Sequence, residues 1–343
     1  MEPFTHAFTS LALARAGQRR MPRFGTAMMV ASGLAPDLDY ASYIGGAGAF
    51  MRFHRTALHS IIGAALLSCA IAAAFCALDR RIPAPKTAQK KTLGPLAFRA
   101  ALAVCAVGAA GHLLLDLASG VGVQLLWPFW VHWSAWGLAD NLDLWILVLL
   151  VAGLLLPLLF GMVSDEVGEK RGPRGGRAAI VTLVLLGLYL GARANLHSRA
   201  IDLLLSREYH GRIALSAGAF PESASPLAWR GVVVTDNTIE EVDVPLDRSG
   251  SFDAEQSLTY FKPEESAALD LAEKSGAAAR FLAYAQFPLA HVQRVEADYR
   301  VEVRDARFAA DDTELANVFL RVDFNSRLQI VRERFLYATS PNP

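Results

Sequence analysis

Residues 98–117 read FRAALAVCAVGAAGHLLLDL. The length is what an α-helix needs to cross ~30 Å of hydrocarbon, about 20 mostly apolar residues. After Arg99 the stretch is apolar until His112, and Asp116 follows four residues later, on the same helix face. No Lys or Arg stands between Arg99 and Lys170. One segment therefore reads both as a membrane helix and as the carrier of two metal-type ligands.

Three further stretches have the same character: Ser60–Leu78, Leu142–Met162 and Ala178–Leu196. Two shorter apolar helices, Thr5–Ala16 and Phe24–Leu34, precede them. The expected fold is an all-α membrane helical bundle over residues 1–196, with about six helices and four full-length spans. A small α+β soluble domain is expected over 197–343. Charge divides at the same place. Of 33 basic and 33 acidic residues, the first part holds 17 and 10, and the second holds 16 and 23. Zero net charge argues against nucleic-acid binding through overall basic charge. Cys69, Cys76 and Cys105 lie in apolar stretches with no CxxC spacing, so neither disulfides nor thiolate metal sites are expected. The opening MEPFTHAFTS lacks a basic region ahead of an apolar one, so no cleaved signal peptide is expected.

Basic residues orient the spans. Arg15, Arg19, Arg20 and Arg23 join the first two helices. Arg80, Arg81, Lys86, Lys90 and Lys91 join the next pair, and Lys170, Arg171, Arg174 and Arg177 the last pair. These connections are expected in the cytoplasm. Segments 35–59 and 118–141, with only Arg52 and Arg55, face the other side, as does the acidic C-terminal domain. The expected location is the bacterial inner membrane, multi-pass, with the C-terminal domain outside the cytoplasm.

In that topology the remaining polar residues fall at the outer helix ends: His6, Asp37, Asp39, His54, His59, His112, Asp116, His132, Asp140 and Asp143. Ionisable groups in an apolar bundle are costly unless paired or liganded. Imidazole and carboxylate are the donors of zinc, manganese and iron sites. The expected metal ligands are His6, Asp37, Asp39, His54, His59, His112 and Asp116, holding one or two divalent ions, with zinc favoured. Asp37 and Asp39 serve as ligand or general base. Arg55 orients a phosphate or, equally, pairs with one of the Asp residues. His132 sits among Trp127, Trp130, Trp133 and Trp136 and reads as interfacial. Asp140 and Asp143 suit helix capping as well as catalysis.

These residues occur in strings that resemble a known family. Met1-Glu2-Pro3-Phe4-Thr5-His6-Ala7 resembles a DxxTHA opening, and Pro36-Asp37-Leu38-Asp39 a PDxD motif. His54-Arg55-Thr56-Ala57-Leu58-His59-Ser60 resembles HRxxTHS, His112 to Asp116 resembles HxxxD, and Leu126-Trp127-Pro128-Phe129 resembles an LLWPF tail. Glu2 departs from the usual Asp, and Leu58 from a frequent Thr. Order and spacing match the YdjM-like family over residues 1 to about 145. The family comprises LexA-binding, inner-membrane-associated proteins described as metal-dependent hydrolases. Trp229-Arg230-Gly231 and Ala285-Gln286-Phe287-Pro288 also resemble its longer members. The resemblance implies a metal site and, through it, hydrolysis.

In the C-terminal part, Arg212–Ala219, Gly231–Thr235, Glu240–Pro245, Val292–Val303, Asn317–Phe324 and Leu328–Tyr337 read as strands, and Pro263–Gln286 as one amphipathic helix. His210 and His291 read as isolated. The expected function is a membrane-bound, metal-dependent hydrolase of an ester or phosphoester, with a lipid-linked substrate suggested by location. The alternative is a non-catalytic scaffold or regulatory protein with a structural metal. A transporter fits less well, since its polar groups would sit near the bilayer midplane. The bilayer is the expected partner; nucleic acid is not expected.

Overall fold

The helix read from residues 98–117 is the one on which its neighbours pack. A computed structural model describes residues 1–82, 95–166, 175–247, 252–308 and 318–338. In chain order the first helices are α1 (Pro3–Ala16), α2 (Gly25–Leu34), a short α3 (Gly46–Phe53), α4 (Ile61–Arg81), α5 (Phe98–Ala118), α6 (Leu144–Glu166) and α7 (Gly175–Leu205). A run of 3₁₀ turns, Ala35–Gly45, connects α2 to α3. The described residues form two compact units: 1–39, 55–130 and 134–193 in the first; 40–54, 131–133 and 194–343 in the second.

In the first unit α5 packs against α1, α2 and α4. Its buried face runs Ala101, Cys105, Gly108, Ala109, His112, Leu113 and Asp116, a helical period, while Phe98, Val107 and Leu114 point outward. Three described helices are long and apolar enough to cross a membrane: α4, α5 and α7. The fourth expected span is α6, whose apolar described stretch is Leu144–Phe160. Pro157 within it cannot donate a helix hydrogen bond. The basic residues Lys86, Lys90, Lys91, Lys170, Arg171 and Arg174 lie outside the described residues.

Small residues bring α1, α2 and α5 together, the usual route to close packing where lipid gives no hydrophobic drive. A side chain on Gly33 would strike Ser10 of α1, and one on Gly108 would stand 2.6 Å from the Met29 carbonyl oxygen of α2. Gly108→Leu is therefore expected to cost about 1–3 kcal/mol by overpacking, read as a lowered thermal midpoint in detergent. Gly187→Ala on α7, where a Cβ meets nothing within 4 Å, is the control and stays at or above wild type.

Local chemistry sets the helix starts. The Ser60 hydroxyl accepts from Gly63 N at 3.0 Å and caps α4. Asp143 Oδ1 accepts from Trp145 N and Ile146 N, each at 3.0 Å, and caps α6. The connection between α5 and α6 is tied back by Trp136 N to Leu117 O (2.7 Å) and Leu138 N to Ala118 O (2.8 Å). Gly122, at φ +81°, lies against the Ser134 carbonyl, where a side chain would not fit.

The second unit holds two four-stranded antiparallel meanders and a two-stranded ribbon. The ribbon is β1 (Glu208–Tyr209) and β2 (Arg212–Ile213). The first meander is β3 (Ser216–Pro221), β4 (Ala228–Val234), β5 (Thr238–Pro245) and β6 (Leu258–Phe261). Helices α8 (Ala267–Glu273) and α9 (Gly276–Tyr284) follow. The second meander is β7 (Pro288–Val295), β8 (Asp298–Asp305), β9 (Val318–Phe324) and β10 (Ile330–Tyr337). One core buries Trp229 with Leu204, Tyr209, Val233 and Val242. In another, Ala47 and Phe50 of α3 pack with Val318, Phe335 and Tyr337.

An α+β domain is what the sequence implies, and three boundaries differ in detail. The helix expected over Pro263–Gln286 is two, because Ser275 caps a new start by accepting from Ala278 N at 3.1 Å. The strand expected over Val292–Val303 is part of a hairpin, turned at Glu296 with φ 58°. The strand expected over Arg212–Ala219 is divided between β2 and β3.

Candidate metal centre

Four helix ends of the first unit meet at one place. α1 brings His6 near its start, and the turn after α2 brings Asp37 and Asp39. The residues before α4 bring His59, and the last turns of α5 bring His112 and Asp116. His6, His59, His112, Asp39 and Asp116 are buried, and Asp37 is the most open, its side chain 10% exposed.

His112 Nε2 lies 3.0 Å from Asp116 Oδ2, the contact implied by their four-residue spacing. His59 Nε2 lies 3.2 Å from the same oxygen and 3.1 Å from His112 Nε2. The opposite ring nitrogens face other acceptors. His59 Nδ1 stands 2.9 Å from Asp39 Oδ2, and His112 Nδ1 stands 2.8 Å from the Gly33 carbonyl oxygen. Since a carbonyl only accepts, His112 carries its proton on Nδ1 and leaves a lone pair on Nε2. The Asp39 carboxylate favours the same tautomer in His59. Two imidazole lone pairs and a carboxylate oxygen thus point at one another, which a cation between them resolves.

The spacing fits a metal. Zinc bonds to nitrogen and oxygen are ~2.0–2.1 Å, so neighbouring donors of a tetrahedron stand ~3.3–3.4 Å apart. The three separations here are 3.0, 3.1 and 3.2 Å. Asp37 Oδ1 is 3.7 Å from His59 Nε2 and 3.8 Å from His112 Nε2, at a fourth position. His6, Asp37 and His112 form a second possible donor group. The His6 ring stacks on His112 at 3.8 Å, and its Nε2 is 3.4 Å from Asp116 Oδ1. Both His6 nitrogens, Asp37 Oδ2 and Asp116 Oδ2 are buried without a hydrogen bond. Such orphaned donors and acceptors are what a bound ion accounts for. Burial opposes charge on His59, but the Asp116, Asp37 and Asp39 carboxylates outweigh it and raise the imidazole to about 10. The pocket therefore calls for positive charge, as a proton or as a metal ion.

Six of the seven expected ligands meet here. The seventh, His54, belongs to the second unit, where its ring stacks on Phe50 at 4.3 Å and packs against Tyr40 at 4.5 Å. Asp39 faces the far side of His59, where it is placed to orient that imidazole. Arg55 is 2% exposed and its Nη2 lies 3.5 Å from Asp116 Oδ1, the pairing foreseen beside phosphate binding. The chain's α-amino group also contacts Asp116 Oδ1. Asp143 caps α6 and accepts from Tyr189 OH at 3.0 Å, Asp140 accepts from Asn141 N at 2.7 Å, and His132 falls in the second unit.

Sequence reasoning missed Ser119 and Asn141, both hydrogen-bonded to the Arg55 guanidinium at 3.0 Å. Neutral polar residues beyond a helix end carry no periodic signal. It also missed the Gly33 carbonyl, because a backbone acceptor leaves no trace in residue type.

No curated protein and no solved structure matches the chain. A family model, YdjM inner membrane protein, matches residues 1–200, the part that contains the helices and the whole His/Asp cluster. The match covers more than half of the chain and agrees with the motif strings, so this membrane protein belongs to the YdjM inner membrane protein family.

Proposed function

We propose that the protein is a membrane-bound, metal-dependent hydrolase acting on an ester or phosphoester. The observation that carries this reading is the convergence of His59 Nε2, His112 Nε2 and Asp116 Oδ2 within 3.0–3.2 Å of one another, beside a fourth, partly open carboxylate. Three protein ligands with a position left for substrate or water is the pattern of catalytic zinc; four closed ligands is that of structural zinc. A bound divalent ion, zinc by donor type, would supply Lewis acidity toward the scissile group. Asp37 is suited to the general base. Its Oδ2 makes no hydrogen bond, and it is the carboxylate of the cluster nearest the surface. Leu38 beside it is 66% exposed and Phe4 near His6 is 69% exposed, which supports an apolar, lipid-linked substrate.

A structural metal in a non-catalytic scaffold is favoured by one feature: Asp37 Oδ1 is near enough to complete four protein ligands. The test combines metal analysis with turnover. The purified protein is expected to carry zinc and to hydrolyse a chromogenic ester or phosphodiester, with activity lost to a chelator and regained on adding zinc. Bound zinc without turnover of either substrate would assign the scaffold role. Lack of zinc in the wild type would remove both readings.

The proposed topology is multi-pass, with the cluster and the C-terminal domain outside the cytoplasm. Arg15, Arg19, Arg20, Arg23, Arg80, Arg81 and Arg177 all lie at the helix ends opposite the cluster. An alkaline phosphatase reporter fused after Pro343 is expected to be active; an inactive fusion would invert the orientation and place the centre on the inner face.

A further inference from the structure

We infer that the centre takes a single divalent ion, and that Arg55 positions two of its ligands instead of binding substrate. The inference rests on the reading of the cluster as a metal centre and adds its occupancy and the arginine's task.

The single ion follows from shared donors. The two possible donor groups, His59–His112–Asp116 and His6–Asp37–His112, both need His112. Its Nδ1 is committed to the Gly33 carbonyl at 2.8 Å, so Nε2 alone is left, and it serves one ion at a time. A carboxylate bridging two ions ~3.5–4 Å apart is the usual basis of a two-metal site. Asp116 presents both oxygens to the cluster, with Oδ2 toward His59 and His112 and Oδ1 toward His6. Its Oδ1, however, is already paired with the α-amino group and faces the Arg55 guanidinium at 3.5 Å. A fixed positive charge stands where the second ion would be needed.

Arg55 reaches the ligands by two routes. Its backbone N donates to Asp39 Oδ2 at 2.8 Å, the same oxygen that faces His59 Nδ1. Its side chain pairs with Asp116 while Nη1 donates to Ser119 Oγ and Nη2 to Asn141 Oδ1. Ser119 Oγ in turn donates to the Asp116 carbonyl at 2.7 Å, so the arginine is tied to the helix end that carries the ligand. The residue holds a left-handed backbone, φ 56°, a conformation that costs energy in a non-glycine residue and that directs chain and side chain to these two tasks. With its donors directed at protein acceptors and 2% exposure, the guanidinium is built into the wall.

The test is zinc binding to the full chain in detergent, by metal analysis and competition with a chromophoric chelator. Wild type is expected to bind one zinc per chain. Arg55→Gln is expected to keep that stoichiometry with affinity lowered ~10–100-fold, the range for groups that orient ligands. Arg55→Lys should recover part of the loss, since it restores charge but not the planar geometry. Two zinc ions per chain, or wild-type affinity in Arg55→Gln, would overturn the inference. So would inorganic phosphate raising the melting temperature of wild type but not of Arg55→Gln, which would return Arg55 to substrate binding. If Arg55→Gln does not fold, Asn141→Ala removes one acceptor and keeps the arginine. A several-fold affinity loss then supports the inference, and none overturns it. Absence of zinc from wild type is a separate outcome that removes the metal reading as well.

Discussion

Asp116→Asn is expected to strip the protein of zinc. The substitution keeps shape and volume and removes one negative charge from the point where three donors converge. Asp116 Oδ2 is the common neighbour of His59 Nε2 and His112 Nε2, at 3.2 and 3.0 Å. An amide oxygen is a far weaker ligand for a divalent ion than a carboxylate, and an amide nitrogen turned inward would repel one. The affinity loss should exceed the ~10–100-fold found for groups that merely orient ligands. Metal analysis of the purified variant checks this. A full complement of zinc in Asp116→Asn would show that the ion sits elsewhere. Folding is monitored alongside, because Arg55 and His6 also lose their anionic neighbour.

The second large effect belongs to the C-terminal part. Arg307 is expected to be indispensable to its fold, with Arg307→Ala costing roughly 3–5 kcal/mol by leaving a buried carboxylate uncompensated. Arg307 and Asp305 are both nearly inaccessible. The guanidinium donates to Asp305 Oδ2 at 2.9 Å and to the Tyr284 carbonyl at 3.1 Å, with the Tyr284 and Phe308 ring centroids 5.1 and 4.9 Å from its carbon. Asp305 also accepts from Gln286 N and from Arg307 N, each at 3.0 Å. The pair thus joins the end of β8 to the end of α9. A loss of that size approaches the whole stability of a typical domain, ~5–15 kcal/mol. Limited proteolysis should release fragments of the C-terminal part from Arg307→Ala at protease concentrations that leave wild type intact. The double variant Arg307→Met with Asp305→Asn should recover part of the loss, since it leaves no lone charge and keeps an acceptor oxygen beside Gln286 N and Arg307 N; equal resistance of wild type and Arg307→Ala would refute the assignment.

Much of the first unit was legible from residues alone. Apolar runs of membrane length predict α4, α5 and the start of α7 within a few residues, because burial in lipid demands continuous apolar character over a fixed thickness; α7 runs on past the expected Leu196 to Leu205, where that demand no longer applies. The His112–Asp116 pair was legible for a related reason: two ionisable groups four apart in such a run have few uses other than a shared ligand. The strand pattern of the C-terminal part was less so. Alternation marks a half-buried strand but not where it turns, and Glu296 turns its hairpin without a glycine. The break between α8 and α9 depends on Ser275 as a cap, which in sequence looks like any other serine of a helix.

His54 shows the limit most clearly. Five residues before His59, in the same family-like string, it has the sequence properties of a ligand, and sequence gives no sign that its ring stacks on Phe50 in the second unit. Asp37 and Asp39 are likewise equivalent in sequence. One faces the Nε2 atoms and the other the Nδ1 of His59.

The sequence by itself determined that the chain is a membrane protein with a β-rich C-terminal part, and which residue types are gathered at one end of its helices. Both follow from local physics: the cost of polar groups in lipid and the period of apolar side chains. Only the tertiary structure decided which of those residues meet, which ring nitrogen each histidine has left, and whether Arg55 faces a ligand or an open surface. Those properties depend on distances between atoms of four helix ends, and a difference of one or two ångströms separates a ligand from the residue that holds it.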